Sequence, residues 1–388
     1  MMLVDDRDRV GHLQDCSGNP EDLMDVQGTS LLESLNRGRT LPAEWYTDPK
    51  VFARERECIF ATNWNHVGRV EQVARAGDFL TGRVGEVPVL IARDEAGALR
   101  AYANVCGHRG SELVLEKCGN RRTLQCHYHA WTWGLDGTLR AAPHCQEQAG
   151  FNKADFPLTP LGVETFGPFI FINPGSTSCS LAATLGQLPA ILRSSGTDMN
   201  SLKFRERREY AIQANWKVVV ENFLECYHCA VSHPGFASLI DLDKYQVVPY
   251  ERFCVQRGPL KASARAQSKD GCGIDEGREG LYIYLWPNFM LNVYPGAGNA
   301  STNVILPIDE HHCLAVYEFF FSDRMPEEEQ RAMVDFIDQV QREDIIIVES
   351  VQRGLRSEFY KQGQLILSRE NGIQHFQKLV FSALGNTF

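Results

Sequence analysis

The sequence predicts an α+β protein of two unequal domains, the first all-β and the second combining helices with an antiparallel sheet. Three observations predict it. At 388 residues the chain exceeds what one ordinary hydrophobic core encloses. From Trp64 onward it runs as short apolar stretches broken by turn residues, the pattern of strands. Beyond the break PGSTSCS, helical periodicities appear between strand-like runs.

Taken in order, residues 1–55 read as an arm packing on the second domain, with Leu31, Leu32 and Leu35 suggesting a short helix before Pro42. Residues 56–176 read as the β domain. Asp136-Gly137 signals a two-residue hairpin there, and Glu95-Ala96-Gly97 a longer turn. Residues 177–388 read as the second domain, with a helix over 215–230 and strands at LYIYLW, FMLNVY, STNVILPI and CLAVYEFFF. A long helix is expected from Pro326 to Val351.

Hydrophobic residues at 44% and charged residues at 23% are ordinary globular values, and no run of about 18 apolar residues predicts a membrane span. The start, MMLVDDRDRVGHLQD, lacks the basic and apolar regions of a secretory signal, so a cytoplasmic protein is expected. A net charge of −10 argues against nucleic acid and favours cationic small molecules or a basic redox partner. The twelve cysteines are scattered, and most read as reduced core thiols.

Two clusters of ligating side chains carry the chemistry. The first, CGHRGSELVLEKCGNRRTLQCHYH, is Cys-x-His, seventeen residues, then Cys-x-x-His. Its candidate ligands are Cys106, His108, Cys126 and His129. Four such donors could hold zinc, but zinc-finger spacing pairs Cys with Cys and His with His, whereas here each loop carries one of each. Mixed loops suit a two-iron cluster with both thiolates on one iron and both imidazoles on the other. Such a cluster has a raised potential and accepts electrons from a ferredoxin. His127 should point away by alternation, and Cys118 and Cys145 lie outside the ligand positions.

The second cluster, NWKVVVENFLECYHCAVSHPGF, sets His228 and His233 five residues apart. On one straight helix that offset turns about 140°. Both imidazoles therefore face one metal only if the helix ends or bulges between them, and Pro234-Gly235 supplies an end. Two imidazoles plus one carboxylate, with open positions for dioxygen and substrate, make the facial triad of non-haem Fe(II) oxygenases. Glu225, three residues before His228, is better placed to orient that ring than to bind metal. Asn222 and Tyr227 lie on the same element and could shape the site or simply pack. In the last long helix Phe336, Val340, Ile347 and Val351 form an apolar stripe that includes Asp344, with Glu343 nearly in register. Pattern alone leaves open which carboxylate ligates, and an Asp meeting solvent or Arg342 fits it too.

These motifs, with AWTWGLDG after the first and VQREDIIIVESVQRGL in the last helix, resemble Rieske non-haem iron oxygenase alpha subunits over roughly residues 45–360. The resemblance implies a Rieske [2Fe–2S] domain joined to a helix-grip (START/Bet v1-like) catalytic domain, and it maps the facial carboxylate onto Asp344. Ser111 and Tyr128 stand where respiratory Rieske domains carry extra cysteines, which implies an oxygenase-type cluster. Also implied are an NAD(P)H-dependent reductase or ferredoxin, mononuclear Fe(II), dioxygen and a homotrimer. In that trimer Glu225 would bridge an iron-ligating histidine to His129 of the neighbouring subunit. The segment ECYHC, with Glu where most members have Asp, is similar to the subgroup acting on glycine betaine, carnitine and stachydrine. The expected activity is hydroxylation or N-demethylation of a quaternary or tertiary amine such as a betaine, the alternative being an aromatic compound. Tyr282, Tyr284, Trp286, Phe289 and Tyr294 could offer ring faces to a cation, or fill core.

Overall fold

The computed structural model describes residues 30–175, 179–267, 279–295 and 298–385. Three short helices come first: α1 (Leu31–Asn36), where the leucines predicted it, α2 (Glu44–Thr47) and α3 (Pro49–Glu55). Asp48 starts α3 by accepting from the Lys50 N–H at 2.7 Å, and Pro49 sets the first helical φ.

Ten strands follow: β1 (Asn65–Arg69), β2 (Asp78–Val84), β3 (Val87–Arg93), β4 (Leu99–Ala103), β5 (Cys118–Asn120), β6 (Thr123–Gln125), β7 (Thr132–Gly134), β8 (Leu139–Ala141), β9 (Gly162–Phe166) and β10 (Phe169–Asn173). They form three antiparallel sheets, β4-β3-β2-β5, β6-β7-β8 and β1-β10-β9. Both predicted turns are present. Gly97 and Gly137 take φ of +82° and +84°, and a Cβ on Gly137 would lie 2.7 Å from the Tyr102 ring.

After α4 (Leu181–Leu185) and α5 (Leu188–Ser194), a seven-stranded antiparallel sheet is assembled from strands interleaved with short helices. In chain order these are β11 (Lys203–Ile212), α6 (Trp216–Phe223), α7 (Cys229–Ser232), α8 (Pro234–Leu239), β12 (Gln246–Pro249), β13 (Phe253–Pro259), α9 (Ala262–Gln267), β14 (Glu279–Leu285), β15 (Phe289–Val293), β16 (Asn299–Pro307) and β17 (Cys313–Phe321). The sheet order is β11-β17-β16-β15-β14-β13-β12. Two long helices, α10 (Glu327–Leu355) and α11 (Leu367–Leu384), complete the chain.

Strand alternation divides the large sheet's side chains between two cores. Tyr284, Met290, Ile305 and Tyr317 pack with Val334, Ile337 and Val348 of α10 and Phe376 and Val380 of α11. Ile283, Leu291, Val304 and Phe320 face the other way, toward α4, α5 and Phe169 and Phe171 of β10. Burial on both faces explains why these strands read as continuous apolar runs.

One expectation is corrected, and one helix was not anticipated. The helix predicted over 215–230 starts where Asn215 caps it, accepting from the Lys217 N–H at 3.0 Å, but it ends at Phe223. The Glu225 carboxylate accepts the backbone N–H groups of Tyr227 and His228, bonds that compete with helix continuation. Helix α11 lies outside the predicted elements, although Ile373, Phe376, Val380, Phe381 and Leu384 recur at helical spacing.

A buried polar network ties the amino-terminal segment to α6 and α11. Glu55 pairs with Lys217 and accepts from Trp216 Nε1 at 2.7 Å. Tyr46 Oη and Gln377 Nε2 donate to Glu221 at 2.6 and 3.0 Å, and Gln377 Oε1 accepts from the Leu41 N–H at 3.1 Å. Burial pushes the Glu221 carboxyl up to about 7, above its ordinary 4.5. A raised folded-state value means that folding takes up a proton, so this group's stabilisation is complete below about pH 4.5 and is lost as pH rises through about 7. Glu221→Gln should therefore flatten the dependence of Tm on pH across that window; an unchanged slope in thermal melts would show that other groups set it.

Candidate active site and metal centres

The first centre is built on two loops of matching backbone. The Cys106 N–H donates to Ser111 O at 2.8 Å, and Cys106 O accepts from the Gly110 N–H at 3.0 Å. Cys126 repeats this with Trp131 O at 2.8 Å and the Ala130 N–H at 3.0 Å. Gly110 and Ala130 close the turns at φ of +74° and +58°; the second is an uncommon conformation for a residue with a Cβ. Both cysteines are buried against Trp133, Leu124 and Leu113, while His108 and His129 are exposed with ring centroids 4.6 Å apart. His108 stacks on Trp131 at 4.8 Å, and the Tyr128 ring lies 3.8 Å from that of His129. Burial pushes the Cys106 thiol up, opposed by the His108 backbone N–H. Paired thiols on the buried side and paired imidazoles on the outer side fit a mixed-ligand two-iron cluster.

The second centre forms where α6 breaks. His228 precedes α7 and His233 sits between α7 and α8, so neither is held in a continuous helix with the other. His228 Nε2 lies 3.1 Å from His233 Nε2, and Asp344 Oδ1 of α10 lies 3.0 Å from the latter and 3.6 Å from the former. Cis ligands about 2.1 Å from one ion stand about 3.0 Å apart, so these three atoms can share one face of a metal's coordination sphere. Among the described residues they are the one group of His, Cys, Asp and Glu side chains close enough to hold an ion.

The outer nitrogens are all spoken for. His228 Nδ1 pairs with Glu225, and His233 Nδ1 with Glu343 Oε2 at 2.7 Å, which directs both Nε2 atoms inward. Asn222 Nδ2 donates to Asp344 Oδ1 at 2.7 Å. Burial lowers His228, but hydrogen bonds with Asp344 and Glu225 outweigh it and carry the imidazole up to about 9. His233 is raised in the same way, against burial, by Asp344. Burial raises Asp344, yet its bonds to His228, His233 and Asn222 hold its carboxyl below the usual range. The pocket favours a cation.

A model of the Rieske [2Fe-2S] domain matches residues 63–163, and one of the ring hydroxylating alpha subunit catalytic domain matches residues 199–386. The carnitine monooxygenase oxygenase subunit of Acinetobacter pittii is 34% identical over 349 residues, covering 88% of this chain and 94% of that one. The chain belongs to the Rieske oxygenase alpha-subunit family. Its iron chemistry follows from that membership: a [2Fe–2S] cluster and a catalytic domain that binds mononuclear iron. Choline monooxygenase of Arabidopsis thaliana is 34% identical, covering 89% of this chain and 83% of its own. A solved quaternary ammonium Rieske monooxygenase in complex with L-carnitine superposes with a TM-score of 0.79 at 33% identity, over 90% of this chain and 97% of that one. Naphthalene 1,2-dioxygenase from Rhodococcus sp. shares the fold, with a TM-score of 0.73 at 18% identity over 90% and 95% of the two chains.

In this Rieske oxygenase a cavity opens beside His228, His233 and Asp344. Of the five aromatic residues singled out in the sequence, Tyr282 and Tyr294 line it. Tyr284 and Trp286 pack on Phe376 instead, and Phe289 turns to the opposite sheet face against Phe169 and Phe171. Tyr245, Phe236, Tyr317, Asn292 and Gln341 line the cavity without having been anticipated. Their signal was the strand and helix period, legible only once it is known which sheet face His228, His233 and Asp344 meet. Tyr227 is 58% exposed and does not line the cavity. Cys226 and Cys229 are not reduced core thiols but a disulfide bracketing His228, a Cys-x-x-Cys pair the sequence displayed. Cys106, Cys118, Cys126, Cys145, Cys254 and Cys313 carry free thiols.

Asn222→Leu should leave the visible spectrum of the cluster unchanged while weakening iron binding about 10- to 100-fold, because Asp344 loses its outer hydrogen bond. Iron content after dialysis measures this; full retention would show that Asn222 does not orient the carboxylate.

Proposed function

We propose that the chain is the terminal oxygenase for a small quaternary or tertiary amine, with His228, His233 and Asp344 as the iron ligands and Cys106, His108, Cys126 and His129 as the cluster ligands. The observation that carries this reading is the convergence of two Nε2 atoms and one carboxylate oxygen within 3.0 to 3.6 Å at the wall of a cavity that Tyr282, Tyr294, Tyr245 and Phe236 also line. Phenol and phenyl faces attract an alkylammonium group. Glu225 and Asp344 add negative charge to the same cavity. Carnitine and choline, which the relatives' names give as those proteins' substrates, are both quaternary amines.

When bound, the cluster supplies single electrons and the iron activates dioxygen. The chain's own residues position and insulate. Glu225 and Glu343 fix the two imidazoles, and Asn222 fixes Asp344. The exposed edge formed by His108 and His129 suits electron exchange with another molecule. In this reading the chain works as a homotrimer in the cytoplasm, fed by an NAD(P)H-dependent reductase or ferredoxin, and Glu225 of one subunit meets His129 of the next. In the same reading residues 1–55 are the arm, of which 1–29 lie outside the described residues, 56–176 the Rieske domain and 177–388 the catalytic domain. Among the described residues no helix is long and apolar enough to cross a membrane.

The decisive experiment couples the loaded enzyme to a compatible reductase and follows oxygen uptake and product with quaternary amines and with aromatic acids. Amines should be oxidised. His228→Ala should keep the cluster's spectrum and lose substrate-dependent uptake; oxidation of aromatic acids alone, or undiminished activity in that variant, would overturn the proposal.

A further inference from the structure

Where α6 breaks, two backbone groups lose the partners that a continuing helix would give them. Carried one turn further, the helix would have the Tyr227 N–H donate to the Phe223 carbonyl oxygen. Instead that N–H donates to the Glu225 carboxylate, and the Phe223 oxygen accepts from Gln256 Nε2 of β13 at 2.5 Å. A backbone carbonyl oxygen only accepts, so this bond fixes which end of the Gln256 amide faces it. The other end, Oε1, accepts from the Tyr245 hydroxyl at 3.2 Å. Gln256 is thus buried, with both ends of its amide bonded within the protein.

These two bonds join parts of the molecule with different tasks. Phe223 is the last residue of α6, just before Glu225 and His228. The Tyr245 ring stacks near that of Tyr282, with centroids 6.3 Å apart, and Tyr282 is the partner of Gln256 across β13 and β14. Tyr282 in turn meets Phe236 of α8 edge-on at 5.8 Å, just past His233. Phe223, Gln256 and these three rings all line the cavity. The aromatic wall is therefore tied to both ends of the segment that carries the two imidazoles. We propose that Gln256 is a positioning residue: it locks the break in α6, and with it His228, to the wall of Tyr245 and Tyr282. It thereby sets how far a substrate seated on that wall stands from His228, His233 and Asp344. This deepens the amine reading above and rests on its assignment of the cavity as the substrate site. The pairing needs a side chain that donates at one end and accepts at the other. Leucine and methionine do neither, and an ionised glutamate would set a negative charge against the Phe223 oxygen. A misplacement of about 1 Å between reacting groups can cost about 100-fold in rate.

The test compares the wild-type enzyme with Gln256→Met, which keeps the side chain's length and loses both bonds, and with Tyr245→Phe, which keeps the ring and loses one. Each carries its cluster and iron and is given a compatible reductase and whichever of choline and L-carnitine the wild type oxidises. Iron content, rate per bound iron and product formed per dioxygen consumed are measured. In Gln256→Met, kcat per bound iron should fall about 10- to 100-fold with KM within about threefold of wild type. Product per dioxygen should fall about twofold or more, because substrate no longer stands where dioxygen is activated. Tyr245→Phe should move both quantities the same way by less. The double variant should be no worse than Gln256→Met alone, since the two substitutions cut one link. Simple loss of folded enzyme would lower the rate and leave product per dioxygen as it was, because the surviving molecules turn over normally. An unchanged yield per dioxygen, or losses that multiply in the double variant, overturn this inference and leave the amine reading standing. Tyr245→Phe decides alone if the methionine variant does not fold. Oxidation of an aromatic acid and of neither amine overturns the amine reading instead, and the same comparison made with that acid still judges Gln256.

Discussion

Two imidazole nitrogens 3.1 Å apart, each with a carboxylate oxygen 3.0 to 3.6 Å away, form the constraint around which the catalytic half of this protein is organised. Lone pairs aimed at one point repel unless a cation lies between them. The fold accepts that cost and secures it from outside. Glu225 and Glu343 hold the outer nitrogens, so neither ring can rotate to relieve the crowding without giving up a charge-assisted hydrogen bond. These three side chains come from the region where α6 breaks and from the long helix α10. The arrangement therefore exists only while α6 and α10 keep their spacing.

That spacing is set at a distance from His228, His233 and Asp344. Helix α6 is anchored at its start by Glu55, Lys217 and Asn215, and further along by Glu221, which Tyr46 and Gln377 reach from the amino-terminal segment and α11. Lys217 and Glu55 are fully buried and satisfy one another, so removing either alone would strand a charge in the interior. The next residue after Glu221 is Asn222, the donor to Asp344. A buried polar network at the start of α6 thus fixes the residue that steadies the Asp344 carboxylate. The first domain is joined to the same sheet by Arg69, which pairs with buried Glu318 and lies over the Phe204 ring at 3.6 Å.

Much of this was legible in the sequence because its signals were local. Cys-x-His and Cys-x-x-His lie in single turns, and Asp136-Gly137 in a two-residue loop, so spacing alone constrains geometry. His228 and His233 were readable as a pair because five residues and a following proline demand a helix break, although the break falls earlier than expected, at Phe223. Asp344 was different. It is more than a hundred residues away, and pattern alone could not separate it from Glu343; the structure gives the two carboxylates distinct partners, His233 Nε2 for one and His233 Nδ1 for the other. The cavity wall was hardest to read. Tyr282 and Tyr284 look alike in sequence and even share a sheet face, yet one meets the cavity and the other Phe376. What separates them is position along the strand relative to two helices, information that no local pattern contains.

The two faces of the large sheet show how one run of residues serves stability and chemistry at once. Toward α4, α5 and β10 the strands send Leu281, Ile283, Leu291, Val293, Val304 and Phe320, with Glu318 the charged exception and Arg69 its partner. Toward α10 the same strands send Tyr282, Asn292, Tyr294, Ser301, Asn303 and Tyr317. A face intended only for packing would not carry two carboxamides and several hydroxyls, because each must find a partner or weaken the core. Polar residues at buried strand positions are a departure from local rules of the kind that marks functional sites. With a period of two, the sheet can hold them without loosening its other face. The apolar side fixes the register of β14, β15, β16 and β17, and that register places the polar side beside His228, His233 and Asp344.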